Sequence, residues 1–355
     1  MQRPAPPVAR LQPAWVPPAW VLVALCCVPV SILRTAAVAA DTAAIVTIID
    51  DVPSAGKLAA PATGQTLYIL DEERRQVMAI DPFEPAKRWT AIGTDVLDGA
   101  NAETPTQPVA IGCIDSNTLV LVCRTGASWS VRIFNRLAAP GSTTPTAALL
   151  QTLPLGASTQ DAPDVDLVVS PSRDWLAVIG LPPPLPAVIR APIAGARSEP
   201  VSERRCPQLS AGLRPTAATI SLGEEWVLFT PAATGGKSGV FLSFYSNAGT
   251  QRLLHLDTGL TGVRDAACCR GSGTLWVVGG GSAGSTQPSG LWRIDAVLEN
   301  GRQAARPACV AQLVNPLSLV CLSDRAIAVT VGGNGRRVVR VNPLVDTGVD
   351  DEAAP

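Results

Sequence analysis

Apolar and polar residues alternate along most of the chain in short runs separated by loops rich in glycine and proline. One pattern recurs six times: an apolar run, a polar or Gly/Pro-rich loop, and a second alternating run. These segments are residues 66–82, 118–135, 175–192, 225–246, 274–296 and 326–343. The period of the alternation is near two, as in VRIFN and LWRID, which indicates strands and not helices. The pattern therefore predicts six hairpins.

Each hairpin is extended by further strands on one or both sides. An apolar run precedes five of the hairpins and is predicted to be an inner strand covered on both faces, at 108–114, 164–170, 215–222, 264–269 and 316–322. A fourth strand is predicted after the first five hairpins, at 88–92, 148–153, 205–209, 252–256 and 308–313. The units repeat every 49 to 57 residues, a spacing typical of β-propeller blades. The fold class is therefore predicted to be all-β, a six-bladed β-propeller with four antiparallel strands per blade.

The two ends of the repeat array complement each other. The sixth unit has no fourth strand after Pro343, whereas the strand-like run 44–49 precedes the first unit. If residues 44–49 complete the last blade, the ring closes and no sheet is left without a neighbour. The propeller is therefore predicted to span residues 41–343, closed by this N-terminal strand.

The segments outside the propeller have their own patterns. Two arginines, Arg3 and Arg10, precede the apolar stretch 19–33, and small residues follow at 36–40. This order is typical of a secretory signal peptide, predicted over residues 1–40, and the stretch is shorter than the ~20 residues that span a bilayer. The protein is then secreted or periplasmic. The alternative is a membrane anchor over residues 19–33. Residues 344–355 are predicted to form an acidic disordered tail.

Composition narrows the choice of partner. The 355-residue chain has a formal net charge of −1, which argues against a nucleic-acid surface, since such a surface needs a basic field. Seven cysteines follow the predicted signal, and an odd number leaves at least one free thiol. Cys113, Cys269 and Cys321 occupy equivalent positions in their units. They are predicted to be buried thiols, too far apart between blades for a disulfide.

The candidate binding face is formed by the loops between second and third strands together with the loops between blades. Its candidate residues are Asp71, Glu72, Arg74, Asp95, Asp98, Arg124, Lys237, Asp265 and Arg336. Three carboxylates in one inter-blade loop, Asp161, Asp164 and Asp166, are candidate ligands for Ca²⁺ or another divalent cation, which prefers oxygen donors. The competing interpretation of these three is a solvated acidic loop. No other cofactor and no catalytic residue are predicted.

Individual units resemble known propeller repeats. Leu67–Asp71 followed by Val77–Asp81 resembles an NHL repeat, and the turn at Ser170–Asp174 is similar to that of TolB-like blades. As an architecture, residues 44–343 also resemble the SMP-30-like propellers of the gluconolactonase type. That last resemblance implies a divalent cation held in the channel by a Glu, an Asn and an Asp. Glu103, Asn101, Asp164 and Asp265 match it by loop location only.

These observations are compatible with two functions from different classes. The first is a non-catalytic scaffold that binds a protein or a small ligand at one face of the propeller. It is favoured because no convergent catalytic set is visible, and because the single histidine, His255, falls in a predicted outer strand. The alternative is a metal-dependent hydrolase or lactonase of the SMP-30-like type. A quinoprotein-like or other redox role is a further alternative, for which no residue gives support. A membrane partner is expected only if residues 19–33 remain as an anchor.

Overall fold

The structure is a computed structural model that describes part of the chain. The described residues are 43–343 except 53, 100–102, 136–146, 163, 187, 194–214, 223–225, 230–238, 246–250, 258–259, 261, 281–287, 300–301 and 334. The predicted signal or anchor and the predicted acidic tail lie outside these residues and stay predictions. Within the described part of the chain, no helix is long and apolar enough to cross a membrane.

The first three repeat units each form one antiparallel sheet in sequence order. The first sheet contains β2 (Ala55–Ala59), β3 (Leu67–Asp71), β4 (Gln76–Ile80) and β5 (Arg88–Ile92). The second contains β6 (Thr106–Asp115), β7 (Thr118–Thr125), β8 (Ser128–Asn135) and β9 (Ala148–Ala157). The third contains β10 (Asp166–Val169), β11 (Trp175–Ile179) and β12 (Val188–Pro192). A short helix, α1 (Thr94–Asp98), lies between the first two sheets in sequence.

The remaining units follow the same plan. The fourth sheet contains β13 (Ala217–Ile220), β14 (Trp226–Phe229), β15 (Gly239–Tyr245) and β16 (Gln251–Asp257). The fifth contains β17 (Asp265–Cys268), β18 (Leu275–Gly279), β19 (Gly290–Glu299) and β20 (Arg302–Gln312). The sixth contains β21 (Pro316–Ser323), β22 (Ala326–Val331) and β23 (Arg337–Asn342), joined by β1 (Ala44–Ile49).

The all-β propeller class is confirmed, with a difference in the strand count. Five blades have four strands each, where the sequence predicts six such blades. The sheet of the third unit has three strands among the described residues, and the fourth strand predicted for it, 205–209, lies outside them. His255 lies in β16, the last strand of its sheet, as predicted.

Closure of the ring by the N-terminal strand is confirmed. β1 runs antiparallel to β23, with Ala44 opposite Asn342 and Thr47 opposite Val339. Its last two residues, Ile48 and Ile49, are buried, whereas Ile45 is exposed. The strand thus pairs its backbone with the last unit and inserts only one end into the core, which joins the two ends of the propeller domain.

The hydrophobic core lies between neighbouring sheets. Six buried clusters lie among the described residues, and each combines residues of two adjacent units. One joins Trp129 of the second sheet to Leu176 of the third, and another joins Ile69 of the first to Val338 of the sixth. Alternate residues of a strand point to opposite faces, so a strand covered on both sides has two apolar faces. This explains why β3, β11 and β22 are buried at every position.

Candidate functional site

The inner strands enclose a cavity at the centre of the propeller. It has a volume of about 360 Å³ and is lined by residues of β2, β6, β10, β13, β17 and β21. Asp166 and Asp265 line one end, where two of these strands begin. Thr63, Arg270 and Asp324, in turns that follow inner strands, line the other. The volume lies at the lower end of the ~300–1,000 Å³ found for small-molecule sites, so the cavity suits a small ligand.

Three charged side chains form what we call the channel charge cluster: Lys57, Asp166 and Asp265. The Lys57 ammonium lies 3.2 Å from Asp166 Oδ1 and 3.8 Å from Asp265 Oδ2. Their side chains are only 14%, 8% and 7% exposed. Charges are rarely buried this far unless they are paired, and here one cation is shared by two carboxylates.

The cluster is assembled from strands of alternate blades. Lys57 lies in the middle of β2 in the first sheet, whereas Asp166 begins β10 in the third and Asp265 begins β17 in the fifth. Each inner strand borders the central cavity. Side chains at one level of three different inner strands therefore meet at one end of the cavity, even though their sheets are not neighbours.

Hydrogen bonds hold the Asp265 carboxylate in place. Ser318 donates its hydroxyl to Oδ2 at 2.6 Å, and the Leu319 backbone N–H donates to the same oxygen at 3.0 Å. Oδ1 accepts the Ala266 N–H at 2.8 Å. Ser318 also accepts the Leu58 N–H at 3.2 Å, which links the sixth sheet to the first. These charge-assisted bonds compensate a carboxylate that is withdrawn from water.

The pKa values of Lys57 and Asp166 are both raised, but for different reasons. Burial raises the pKa of Asp166 to about 7; the Lys57 ammonium opposes this shift and the Asp265 charge adds to it. Burial disfavours the charge of Lys57, but the carboxylates of Asp166 and Asp265 outweigh it and raise its pKa to about 12. Near neutral pH, Lys57 is therefore charged, while Asp166 can both accept and release a proton.

The cluster does not fit a divalent cation. A calcium or similar ion needs about six oxygen ligands at roughly 2.3–2.6 Å, and here the Lys57 ammonium lies between the two carboxylates. Two of the Asp265 contacts are N–H and O–H donors, which occupy lone pairs that a metal would need. Across the described residues, no three His, Cys, Asp or Glu side chains are grouped to hold a metal.

The structure does not bring the three aspartates of the predicted metal cluster together. Asp161 is exposed and pairs with Arg124 at 2.8 Å. Asp164 is also exposed, whereas Asp166 is buried against Lys57. For the first two residues, the competing interpretation of a solvated acidic loop describes what the structure contains. Asp166 enters the site through its position on an inner strand.

The other residues predicted for the binding face have varied surroundings. Asp71 is fully buried and accepts hydrogen bonds from Ser54 Oγ and the Arg74 backbone N–H. Glu72 pairs with Arg336 at 2.7 Å. Asp98 pairs with Arg75 at 2.8 Å, Asp95 is exposed, and Lys237 lies outside the described residues. Among the described residues of the predicted face, Asp265 is the one that lines the cavity, so a ligand at the remainder of that face stays a prediction.

Lys57 and its strand were not predicted. The run Ala55–Ala59 is short, contains a glycine and lacks a strong apolar alternation, so it carries little strand signal. The repeat register nevertheless contains the information. Lys57, Asp166 and Asp265 each stand four residues before equivalent positions, Pro61, Ser170 and Cys269 respectively. Comparing charges at one position across all units would have grouped the three residues. Of the other candidates, Glu103 is exposed and Asn101 lies outside the described residues.

Two cysteines meet beside the cavity. Cys269 and Cys321 both line it and pack in one core cluster between the fifth and sixth sheets. A hydrogen bond between the Cys321 and Cys269 thiols, together with burial, raises the pKa of Cys321. Both are free thiols in the structure. The two thiols are not joined in a disulfide, as predicted, although they lie close enough to interact by a hydrogen bond.

Comparison with known proteins gives structural matches only. No protein-family model and no curated protein sequence match the chain. Among solved structures, the PQQ-bound aldose sugar dehydrogenase of Streptomyces coelicolor has a TM-score of 0.54 at 11% identity, covering 85% of this chain and 98% of that one. A gluconolactonase of Xanthomonas campestris has a TM-score of 0.51 at 16% identity, covering 90% and 96%. The major allergen of Malassezia sympodialis has a TM-score of 0.52 at 11% identity, covering 85% and 96%.

These matches correct the first functional prediction. The sequence favoured a non-catalytic scaffold because it contains no visible catalytic set, but propellers that match this fold include a sugar dehydrogenase and a gluconolactonase. The scaffold prediction is therefore wrong, and the enzymatic alternative is the better supported of the two. At these identities the comparison shows the fold, and the chain is similar in architecture to gluconolactonase-type and sugar-dehydrogenase propellers.

Proposed function

We propose that this chain is a hydrolase that opens a small polar lactone in its central cavity, with Asp166 as the general base. The observation that carries the proposal is the Asp166 carboxyl, which lines the cavity and has a pKa raised to about 7 by burial. A general base acts best when its pKa is near the working pH. The gluconolactonase among the matched propellers supports a sugar-acid lactone as the substrate class.

The reaction follows from the position of this carboxylate. Ionised Asp166 takes a proton from a water molecule in the cavity, and the water oxygen forms a bond to the lactone carbonyl carbon. The tetrahedral intermediate collapses and breaks the bond between the acyl carbon and the ring oxygen. The proton held by Asp166 passes to that leaving oxygen, which yields a hydroxy acid and restores the carboxylate. No covalent intermediate with the protein is needed.

The other members of the cluster adjust this base. Asp265 is fixed by Ser318 and by two backbone N–H groups, so it is held as a permanent neighbour of the Lys57 ammonium. Lys57 favours the ionised form of Asp166, whereas burial and Asp265 disfavour it. The balance of these effects, and not any single one, keeps Asp166 near the midpoint of its titration at neutral pH.

The test is lactone hydrolysis by the purified chain, followed with D-glucono-δ-lactone in a pH-stat and corrected for spontaneous opening. We expect Asp166→Asn to lower kcat/KM by about 10²–10⁴, the usual contribution of a general base. We also expect kcat/KM of the unchanged chain to rise with pH through about 7, because Asp166 must be ionised to accept the proton.

The matched control is Asp161→Asn, which removes an exposed carboxylate five residues before Asp166. It should retain full activity and the same pH profile. The proposal fails if Asp166→Asn is as active as the Asp161→Asn control. It also fails if no aldonolactone is opened faster than in buffer.

A further inference from the structure

The composition of the channel charge cluster differs from that of a metal site. Two aspartates face one lysine, and the Lys57 ammonium lies 3.2 Å from Asp166 and 3.8 Å from Asp265. A divalent ion bound to both carboxylates at roughly 2.3–2.6 Å would have to share this space with the ammonium. Two cations in one buried site repel each other strongly, because little water is present to screen them.

Hydrogen-bond donors reinforce this exclusion. Each aspartate accepts a backbone N–H close to its own position in the chain, from Leu167 to Asp166 and from Ala266 to Asp265. Asp265 Oδ2 accepts two further donors, from Ser318 and Leu319. The carboxylate oxygens thus already face positive hydrogen atoms, and the shared charge that binds them together comes from Lys57.

We infer that Lys57 is the resident cation of this channel, taking the position between Asp166 and Asp265 that a divalent metal would otherwise occupy. The inference rests on the proposed function where it concerns catalysis: hydrolysis by this chain needs no divalent ion. It also makes Lys57 a positioning residue, which acts through Asp166 and Asp265 and does not line the cavity itself. The SMP-30-like resemblance implies a bound divalent ion. Here the positive charge belongs to a lysine side chain, which cannot dissociate from the protein.

The experiment compares cation binding by the full chain with that by two variants. Lys57→Ala removes the ammonium and leaves space between the carboxylates, whereas Lys57→Met removes the charge and keeps the space filled. Isothermal titration with CaCl₂ and with MnCl₂ should detect no binding at the cluster in the unchanged chain. Lys57→Ala should gain one site with a Kd on the order of 10⁻⁴–10⁻³ M, the range of weak calcium sites. Lys57→Met should bind at least about tenfold more weakly than Lys57→Ala.

Two controls locate the site. Lys87→Ala removes an exposed lysine that pairs with Glu84, and it should leave cation binding and thermal stability unchanged. The double variant Lys57→Ala/Asp265→Asn should lose the acquired site. If Lys57→Ala does not fold well enough for titration, its melting temperature with and without 10 mM CaCl₂, a concentration roughly tenfold or more above the expected Kd, gives the same information, since a ligand that binds only the folded state raises the melting temperature.

The outcomes separate this inference from the proposed function. Stoichiometric binding of Ca²⁺ or Mn²⁺ by the unchanged chain, abolished by Asp166→Asn, would overturn the inference, and so would lactone hydrolysis that disappears with EDTA and returns with either ion. Cation binding gained by Lys57→Ala, in a chain that opens no lactone, would support Lys57 as the resident cation and refute the proposed function. Absence of any gain in Lys57→Ala, by titration or by melting, would also refute the inference.

Discussion

Nearby residues of the same type have different roles according to whether they lie on an inner strand. Asp161 and Asp166 are five positions apart, yet the first is exposed and pairs with Arg124, while the second is buried beside Lys57. An exposed ion pair contributes little to stability because water screens it. A buried carboxylate titrates in a range that depends on its neighbours. At the scale of the residue, burial is therefore what separates the candidate catalytic aspartate from its surface counterpart.

The reactivity of individual cysteines reports how far each residue is buried. Cys123 is fully buried, and burial raises its pKa to about 12; the pKa of Cys309 is also raised by burial, but this thiol is partly exposed. At pH 8 a thiol of pKa 12 is ionised to roughly 10⁻⁴, and the thiolate is the reactive form. We expect iodoacetamide to modify Cys309 much faster than Cys123 in the folded chain, as measured by peptide mass spectrometry.

Unfolding in urea provides the control for that measurement. Both thiols should then react at similar rates, because their environments become alike. Equal rates in the folded chain would contradict the packing of Cys123 between the first and second sheets.

Among the elements, the strongest sequence signals belong to hairpins and the weakest to short inner strands. The hairpin of β7 and β8 has long alternating runs and was predicted closely, at 118–135 against Thr118–Asn135. The strand β2 was missed, because Ala55–Ala59 gains its strand conformation from pairing with β3 and from packing against neighbouring sheets. Local propensity alone does not define such a strand.

Two substitutions in the N-terminal strand β1 test whether this element stabilises the ring. Ile48 and Ile45 lie on β1, one 6% exposed in the core between the sixth and first sheets, the other 48% exposed. We expect Ile48→Ala to lower the free energy of unfolding by about 2–5 kcal/mol, the usual cost of such a cavity. Ile45→Ala should change it by less than about 0.5 kcal/mol. Urea unfolding followed by tryptophan fluorescence compares the two directly, and equal midpoints would contradict closure through β1.

For the molecule as a whole, the cluster acts as a connection across the centre. Its residues come from the first, third and fifth sheets, which are not neighbours in the ring, while Ser318 adds the sixth. In the part of the chain that the structure describes, the hydrophobic clusters join only adjacent sheets. The charged residues therefore couple parts of the propeller that apolar packing leaves separate, and they do so beside the proposed reaction site.

A double-mutant cycle measures this connection. Lys57→Met and Asp166→Asn should each lower the free energy of unfolding; a loss of about 3–5 kcal/mol is expected for Lys57→Met, because it leaves uncompensated buried carboxylates. In the double variant the two losses should not add, with a coupling of about 0.5–3 kcal/mol, as for residues in one network. The pair Lys87→Ala and Asp161→Asn serves as the control, and it should show no coupling. Full additivity at Lys57 and Asp166 would contradict their ion pair.

The repeat units, their hairpins and the closure by residues 44–49 could be predicted from the sequence alone. These follow from a two-residue alternation and a spacing of about 50 residues, both of which are local properties of the chain. The contact among Lys57, Asp166 and Asp265 depends on the tertiary structure, since consecutive members of the cluster are about 100 residues apart along the chain. Ring closure brings alternate inner strands to face a common cavity, and burial there makes their charges interact strongly. The order of charged residues along the chain gives no information on the distances between them in space. The candidate site could therefore be identified only from the fold.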